Sequence, residues 1–183
     1  MSKVYVFLAD GFEEIEGLTV VDLLRRAGEE VETVSIMGRK MIEGSHKIKV
    51  EADALFEETD FTEGKMLVLP GGMPGTRHLG AYKPLTDMLC DWDTKGKQLA
   101  AICAAPSVFG GLGFLKDRKA TSYPGCLDGI PVGEYTEEPV AVDGNVVTSR
   151  GVGTAIAFAL KLIEVLISKE KADEIAASIV YPV

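Results

Sequence analysis

Apolar and polar positions fall into short blocks of two kinds along this chain, and their alternation predicts the fold class. Residues 3–9 (KVYVFLA) are almost continuously apolar or β-favouring, as in a strand covered on both faces. A helical segment follows up to Ala27, with Glu13, Glu14 and Glu16 at its start, Arg25 and Arg26 at its end and Gly28 as its stop. Residues 31–37 read as a second strand, and residues 41–50 alternate around Glu43-Gly44-Ser45 as an antiparallel hairpin. Residues 65–69 form another buried-type strand, running into Pro70-Gly71-Gly72-Met73-Pro74-Gly75.

The second half repeats the alternation. A helix is predicted from Pro84 to about Lys95, with proline in its first turn and Gly96 past its end. Residues 98–102 (QLAAI) are a short strand that enters Cys103-Ala104-Ala105-Pro106 and a further helix. Residues 139–142 and 145–148 flank Asp143-Gly144, a hairpin signal. From Gly153 to Ile167 only Lys161, Glu164 and Ser168 beyond it interrupt the apolar pattern, so that helix is expected to be largely buried. A last amphipathic helix uses Ala172, Ile175, Ala176 and Ile179. Strands alternating with helices predict an α/β fold, a mostly parallel sheet with helices on both sides. Its reactive edge is expected beyond the carboxyl ends of the strands. Glu16, Gly71-Gly72 and Cys103 all fall there.

Length and composition narrow the class. The 183 residues suit one domain over 1–183, large enough to need no disulfide or metal staple. Nineteen basic against 28 acidic residues give −9, a poor match for a nucleic-acid backbone. The early apolar stretch is far shorter than the ~20 residues of a membrane span, and no secretory leader is read. Three cysteines, at 90, 103 and 126, fit neither a disulfide framework nor a zinc site. The expectation is a cytoplasmic protein with no metal, no cofactor, no nucleic-acid partner and no membrane association.

Cys103 is the leading candidate for chemistry. It sits at a strand-to-helix junction among Ala100, Ala101, Ala104 and Ala105, resembling a nucleophile elbow in which small neighbours surround one raised side chain. The dipole of the following helix is expected to favour thiolate. The other reading is a buried inert cysteine, which also serves for Cys90 and Cys126. Glycines at 71, 72 and 75 leave backbone amides free to face an anion, with the Ala104 amide as the other half of an oxyanion hole; alternatively they form a tight turn. Glu13 and Glu14 read as a solvated first helical turn. Glu16, beside Ile15, Leu18 and Thr19, is expected to be buried, protonated and able to donate to a thiolate. His46 and His78 are the only histidines, and both read as turn or capping residues.

Four ordered motifs carry a resemblance: residues 9–16 (ADGFEEIE), 69–72 (LPGG), 100–106 (AAICAAP) and 148–151 (TSRG). They resemble the ThiJ/PfpI superfamily, and within it the branch of small proteins related to the parkinsonism-associated protein deglycase. The similarity spans nearly the whole chain. It implies a flavodoxin-like three-layer αβα sandwich and a homodimer. It also implies Cys103 as nucleophile, Glu16 as the protonated partner of its sulfur, and Gly71, Gly72 and Ala104 as anion-binding backbone. Tyr123 and Arg150 are carried over to the pocket. Where the branch often has a histidine near the cysteine, this chain has Ser122-Tyr123-Pro124, and a phenol is a poor base at neutral pH though a good donor. His46 stands where the branch often has arginine. A peptidase is therefore a distant third among the functions considered.

The leading expectation is a cysteine-dependent enzyme of glyoxalase III or deglycase type, turning methylglyoxal or its adducts to lactate in carbonyl and oxidative stress defence. The alternative is a redox sensor or chaperone-like protein acting through oxidation of Cys103. The residues Ile15, Leu18, Val20, Val21, Leu23 and Leu24 spread round more than one face of the first helix, which is read as apolar surface left over for a two-fold dimer.

Overall fold

The computed structural model describes residues 3–182. In chain order its elements are β1 (Lys3–Leu8), α1 (Glu14–Arg26), β2 (Glu30–Ser35), β3 (Met41–Glu43), β4 (Lys49–Glu51), β5 (Ala54–Leu55) and β6 (Gly64–Leu69). Then come α2 (Gly75–Ala81), α3 (Lys83–Thr94), β7 (Gln98–Ile102), α4 (Pro106–Gly111), β8 (Lys119–Ala120) and β9 (Glu134–Tyr135). β10 (Val140–Asp143), β11 (Val146–Ser149), α5 (Ala155–Leu166) and α6 (Lys169–Ser178) complete the chain. Short 3₁₀ turns occupy Phe56–Glu58 and Val152–Thr154.

The near-continuous apolar run of β1 is explained by its two faces. Val4, Val6 and Leu8 pack into a core with Val20 and Leu24 of α1 and Phe158 and Leu162 of α5. Tyr5 and Phe7 point the other way, to Leu89 and Trp92 of α3 and Phe109 of α4. A strand alternates its side chains between faces, so only a sheet covered on both sides makes every position of β1 after Lys3 apolar. The result is three layers, α/β/α, as expected. The seven-stranded sheet runs β10-β11-β7-β6-β1-β2-β5. Its pairs are parallel except β10 with β11. No helix of the described residues is long and apolar enough to cross a membrane.

The strand order positions the site. β11, β7, β6 and β1 are consecutive neighbours. The segments leaving their carboxyl ends, which begin at Arg150, Cys103, Pro70 and Ala9, therefore lie side by side on one edge.

Several elements depart from the sequence expectation. The segment 70–75 is followed by helix α2, which its prolines and glycines disguise as a plain turn. β5, β8 and β9 are two residues each, too short for any periodicity to register. The helix after Cys103 is only six residues long, from Pro106 to Gly111.

Candidate active site

Cys103 leaves β7 with φ of +66°, a left-handed conformation that costs a non-glycine residue energy and persists only where its surroundings hold it. Two backbone hydrogen bonds do so: its amide donates to the Ser149 carbonyl at 3.0 Å, and its carbonyl accepts from the Tyr123 amide at 2.8 Å. Ala100, Ala101 and Ala105 are fully buried around the turn. The strain and the small neighbours are those of an elbow that lifts one side chain over the sheet edge.

Glu16 reaches the same point from the first turn of α1. It is completely buried, and its Oε2 accepts from the Gly71 amide at 2.9 Å. Its carboxyl faces the Cys103 side chain, for Glu16 Oε2 and Cys103 Cβ would both crowd a Cβ at Gly71. Among the described residues its Oε1 has no partner. Gly71 must be glycine here, because a Cβ would lie 2.6 Å from both the Cys103 Cβ and Glu16 Oε2. Gly72 has φ of +90° and, with Ala104, presents a backbone amide to the Cys103 sulfur. Five of the expected residues thus meet: Cys103, Glu16, Gly71, Gly72 and Ala104.

Burial, reinforced by the charge of Glu13, raises the Glu16 carboxyl to about 7 against hydrogen bonds from Cys103 and Gly71. Burial, then the charge and hydrogen bond of Glu16, push the Cys103 thiol up to about 12, with the Ala104 and Gly72 amides pulling the other way. The Ala104 and Gly72 amides do not offset burial and Glu16, so the thiol is raised where the sequence expectation was a favoured thiolate. A carboxylate on Glu16 and a thiolate on Cys103 oppose one another, so above the carboxyl's value of about 7 the pair holds one proton. Every molecule with that proton on Glu16 is a thiolate, and there the charge of Glu16 no longer opposes it.

A cavity of about 590 Å³ opens over the pair, walled by Glu13, Tyr123, Pro124, Arg150 and residues 151–154. Tyr123 is 54% exposed at its rim. Tyr123 and Arg150 are therefore both in the pocket wall. Two further wall residues bear on the reactive atoms. Gly151 closes against the reactive atoms, since a Cβ there would sit 3.9 Å from both Cys103 Sγ and Glu16 Oε1. Glu13 is the other.

Glu13 and Glu14 are buried rather than solvated. Glu13 Oε2 caps α1 by accepting from the Glu16 amide at 2.9 Å. Glu14 Oε1 accepts from the His46 amide at 2.8 Å, and its Oε2 lies 3.3 Å from Ser45 Oγ and 3.1 Å from His46 Nδ1. These bonds dock the β3–β4 hairpin onto α1, which the sequence does not reveal because the partners are 31 to 34 residues apart. Glu13, Glu14 and His46 are also the metal-binding type of cluster found among the described residues, with ligand atoms within 4.8 Å of one another. Their hydrogen bonds account for three of the four carboxylate oxygens as structural ties. Cys90 is exposed on α3, and Cys126 is half-buried in the segment between β8 and β9.

A profile of the DJ-1/PfpI family matches residues 2–165. Protein DJ-1 homolog B of Arabidopsis thaliana is 38% identical over 180 residues, which are 97% of this chain and 41% of that protein. The chain thus spans about two fifths of the length of that relative. A protein named a deglycase from Pyrococcus abyssi is 34% identical over 166 residues, 90% of this chain and 99% of that one. Among solved structures, oxidized DJ-1 of Toxoplasma gondii superposes with a TM-score of 0.92 at 40% identity, each chain covered completely.

Proposed function

The chain belongs to the DJ-1/PfpI family, and from that premise we propose that it is a cysteine-dependent enzyme acting on small reactive carbonyls, of glyoxalase III or deglycase type. The observation that carries the reading is the left-handed Cys103 elbow set beside the fully buried Glu16 carboxyl under an open cavity. Transfer of that proton from sulfur to Glu16 frees the thiolate as it attacks the aldehyde carbon of methylglyoxal. The carbonyl oxygen, placed between the Gly72 and Ala104 amides, takes the proton back and becomes the hydroxyl of a hemithioacetal. Glu16 then removes the hydrogen from that carbon as a proton and returns it to the neighbouring carbon, while the hydroxyl proton passes to the neighbouring carbonyl oxygen, leaving a lactoyl thioester. Water hydrolyses the thioester to lactate and restores the thiol. The sum is methylglyoxal plus water to lactate, with no net oxidation. A carboxyl raised to about 7 suits both halves of this exchange at neutral pH.

The deglycase name of the Pyrococcus relative supports the same class of reaction. Three unpaired cysteines suit a reducing compartment, as in the cytoplasm. The test is lactate formation from methylglyoxal by the purified protein. The wild type is expected to form it and Cys103→Ala to form none above the uncatalysed rate; equal rates overturn the reading. A second reading, redox sensing through Cys103, draws on the oxidized state of the Toxoplasma structure. It is favoured if peroxide oxidises Cys103 ahead of Cys90 and Cys126 while no lactate is formed.

A further inference from the structure

Arg150 lines the cavity over Cys103, and the proposed reaction leaves it without a task. Arg150 stands at the end of β11, and its backbone is fixed: the amides of Arg150 and Gly151 both donate to Thr154 Oγ1, at 3.2 and 3.1 Å. Its guanidinium is held far less firmly. Nε lies 3.4 Å from the Ser122 carbonyl, Nη1 3.4 Å from the Glu137 carbonyl, and Nη2 3.9 Å from Glu137 Oε1. Charge-assisted contacts run at roughly 2.7–2.9 Å, so none of these is close. The single carboxylate among them is 78% exposed, where ion pairing contributes little. Arg150 itself is only 24% exposed. A guanidinium does not shed its proton at any physiological pH, so a largely buried cation keeps most of its donor capacity unused.

Its place relative to the nucleophile gives that cation a use. The next residue, Gly151, abuts Cys103 Sγ and Glu16 Oε1, and β11 pairs directly with β7, which carries Cys103. The cavity of about 590 Å³ lies within the ~300–1,000 Å³ of ordinary ligand pockets and exceeds what a three-carbon carbonyl fills.

We propose that Arg150 is a specificity-determining residue that binds a carboxylate on the substrate, so that the site prefers carbonyl compounds bearing one carboxylate over neutral methylglyoxal. A singly charged group is the match, because Glu13 and Glu16 line the same cavity and a phosphate dianion meets two carboxylates for one guanidinium. This rests on the reading of Cys103 as the nucleophile towards a carbonyl, but its test needs no turnover.

Iodoacetate and iodoacetamide alkylate a thiolate by the same displacement: sulfur bonds to the methylene carbon and iodide leaves. They differ in whether the arm carries a carboxylate. Rate constants for each reagent at Cys103, read by peptide mass spectrometry with exposed Cys90 as internal reference, give a ratio of iodoacetate to iodoacetamide. Relative to the ratio at Cys90, that at Cys103 is expected to be higher in the wild type. Arg150→Met should lower the Cys103 ratio about tenfold, the scale of a lost charge-assisted hydrogen bond, and Arg150→Lys, which keeps a cation, should retain part of it. The same ratio in wild type and Arg150→Met overturns the proposal, as does a Lys variant that loses as much as the Met variant. Failure to form lactate from methylglyoxal would instead overturn the reaction proposed above and leave this ratio standing.

Discussion

Two residues decide the chemistry, and each depends on the state of the other. Glu16 is raised by burial and Cys103 by burial and by Glu16, so the thiolate exists where the carboxyl holds the proton. Removing Glu16 removes the charge and the hydrogen bond that raise the thiol. In Glu16→Leu the thiolate absorbance near 240 nm is therefore expected to appear at lower pH than in the wild type. Glu16→Gln, which also removes the charge, should shift the same way. Titration at the same pH in wild type and Glu16→Leu would contradict the coupling. Both residues were legible in the sequence because each ends a strand or begins a helix among small or apolar neighbours. The balance acting on the thiol was not legible, since burial and the charge of Glu16 beside it are properties of the folded chain. Gly151 was present in a recognisable motif, yet only the fold shows that its missing side chain leaves room against the sulfur.

Among the elements, α1 does the most to place the site, and its start is fixed by Glu13 rather than by a serine, threonine or aspartate. Glu13 accepts from the Glu16 amide, so the cap and the catalytic candidate are joined by one hydrogen bond. Glu13→Ala is expected to cost about 1 kcal/mol of stability, as lost N-caps do, whereas Glu13→Gln, which keeps an acceptor, should cost clearly less. Urea unfolding of the three proteins checks this; equal midpoints would show that the cap carries no stability. The long strands and helices follow from periodicity because their faces are buried along their whole length. Elements built by distant partners do not. The hairpin β3–β4 is recognisable alone, but its docking through His46 and Ile48 onto Glu14 is written in residues more than 30 positions apart. The expected spread of apolar residues round α1 also shrinks on folding: Val20, Val21, Leu23 and Leu24 are buried, which leaves Ile15, 52% exposed, and the half-buried Leu18.

For the whole molecule, we propose that this remaining surface joins two chains. Ile15 stands at the start of α1, and Ile48, 54% exposed, lies in the hairpin turn whose amide reaches the neighbouring Glu14. Such a patch suits a two-fold contact. Sedimentation equilibrium at micromolar concentration should give twice the 19.6 kDa of one chain, and a single-chain mass would refute it. The three-layer fold itself brings four strand ends together, and the proposed reaction turns on the proton exchanged there between Cys103 and Glu16. Its most direct test is the pH dependence of lactate formation from methylglyoxal between pH 5 and 9, in wild type and Glu16→Gln. As pH rises the wild-type rate should climb through an inflection near 7, where the pair loses its first proton. Glu16→Gln should be slower by roughly 10²-fold, the usual size of a lost general acid–base, and should lose that inflection. A Glu16→Gln enzyme with the wild-type rate and the wild-type inflection would contradict it.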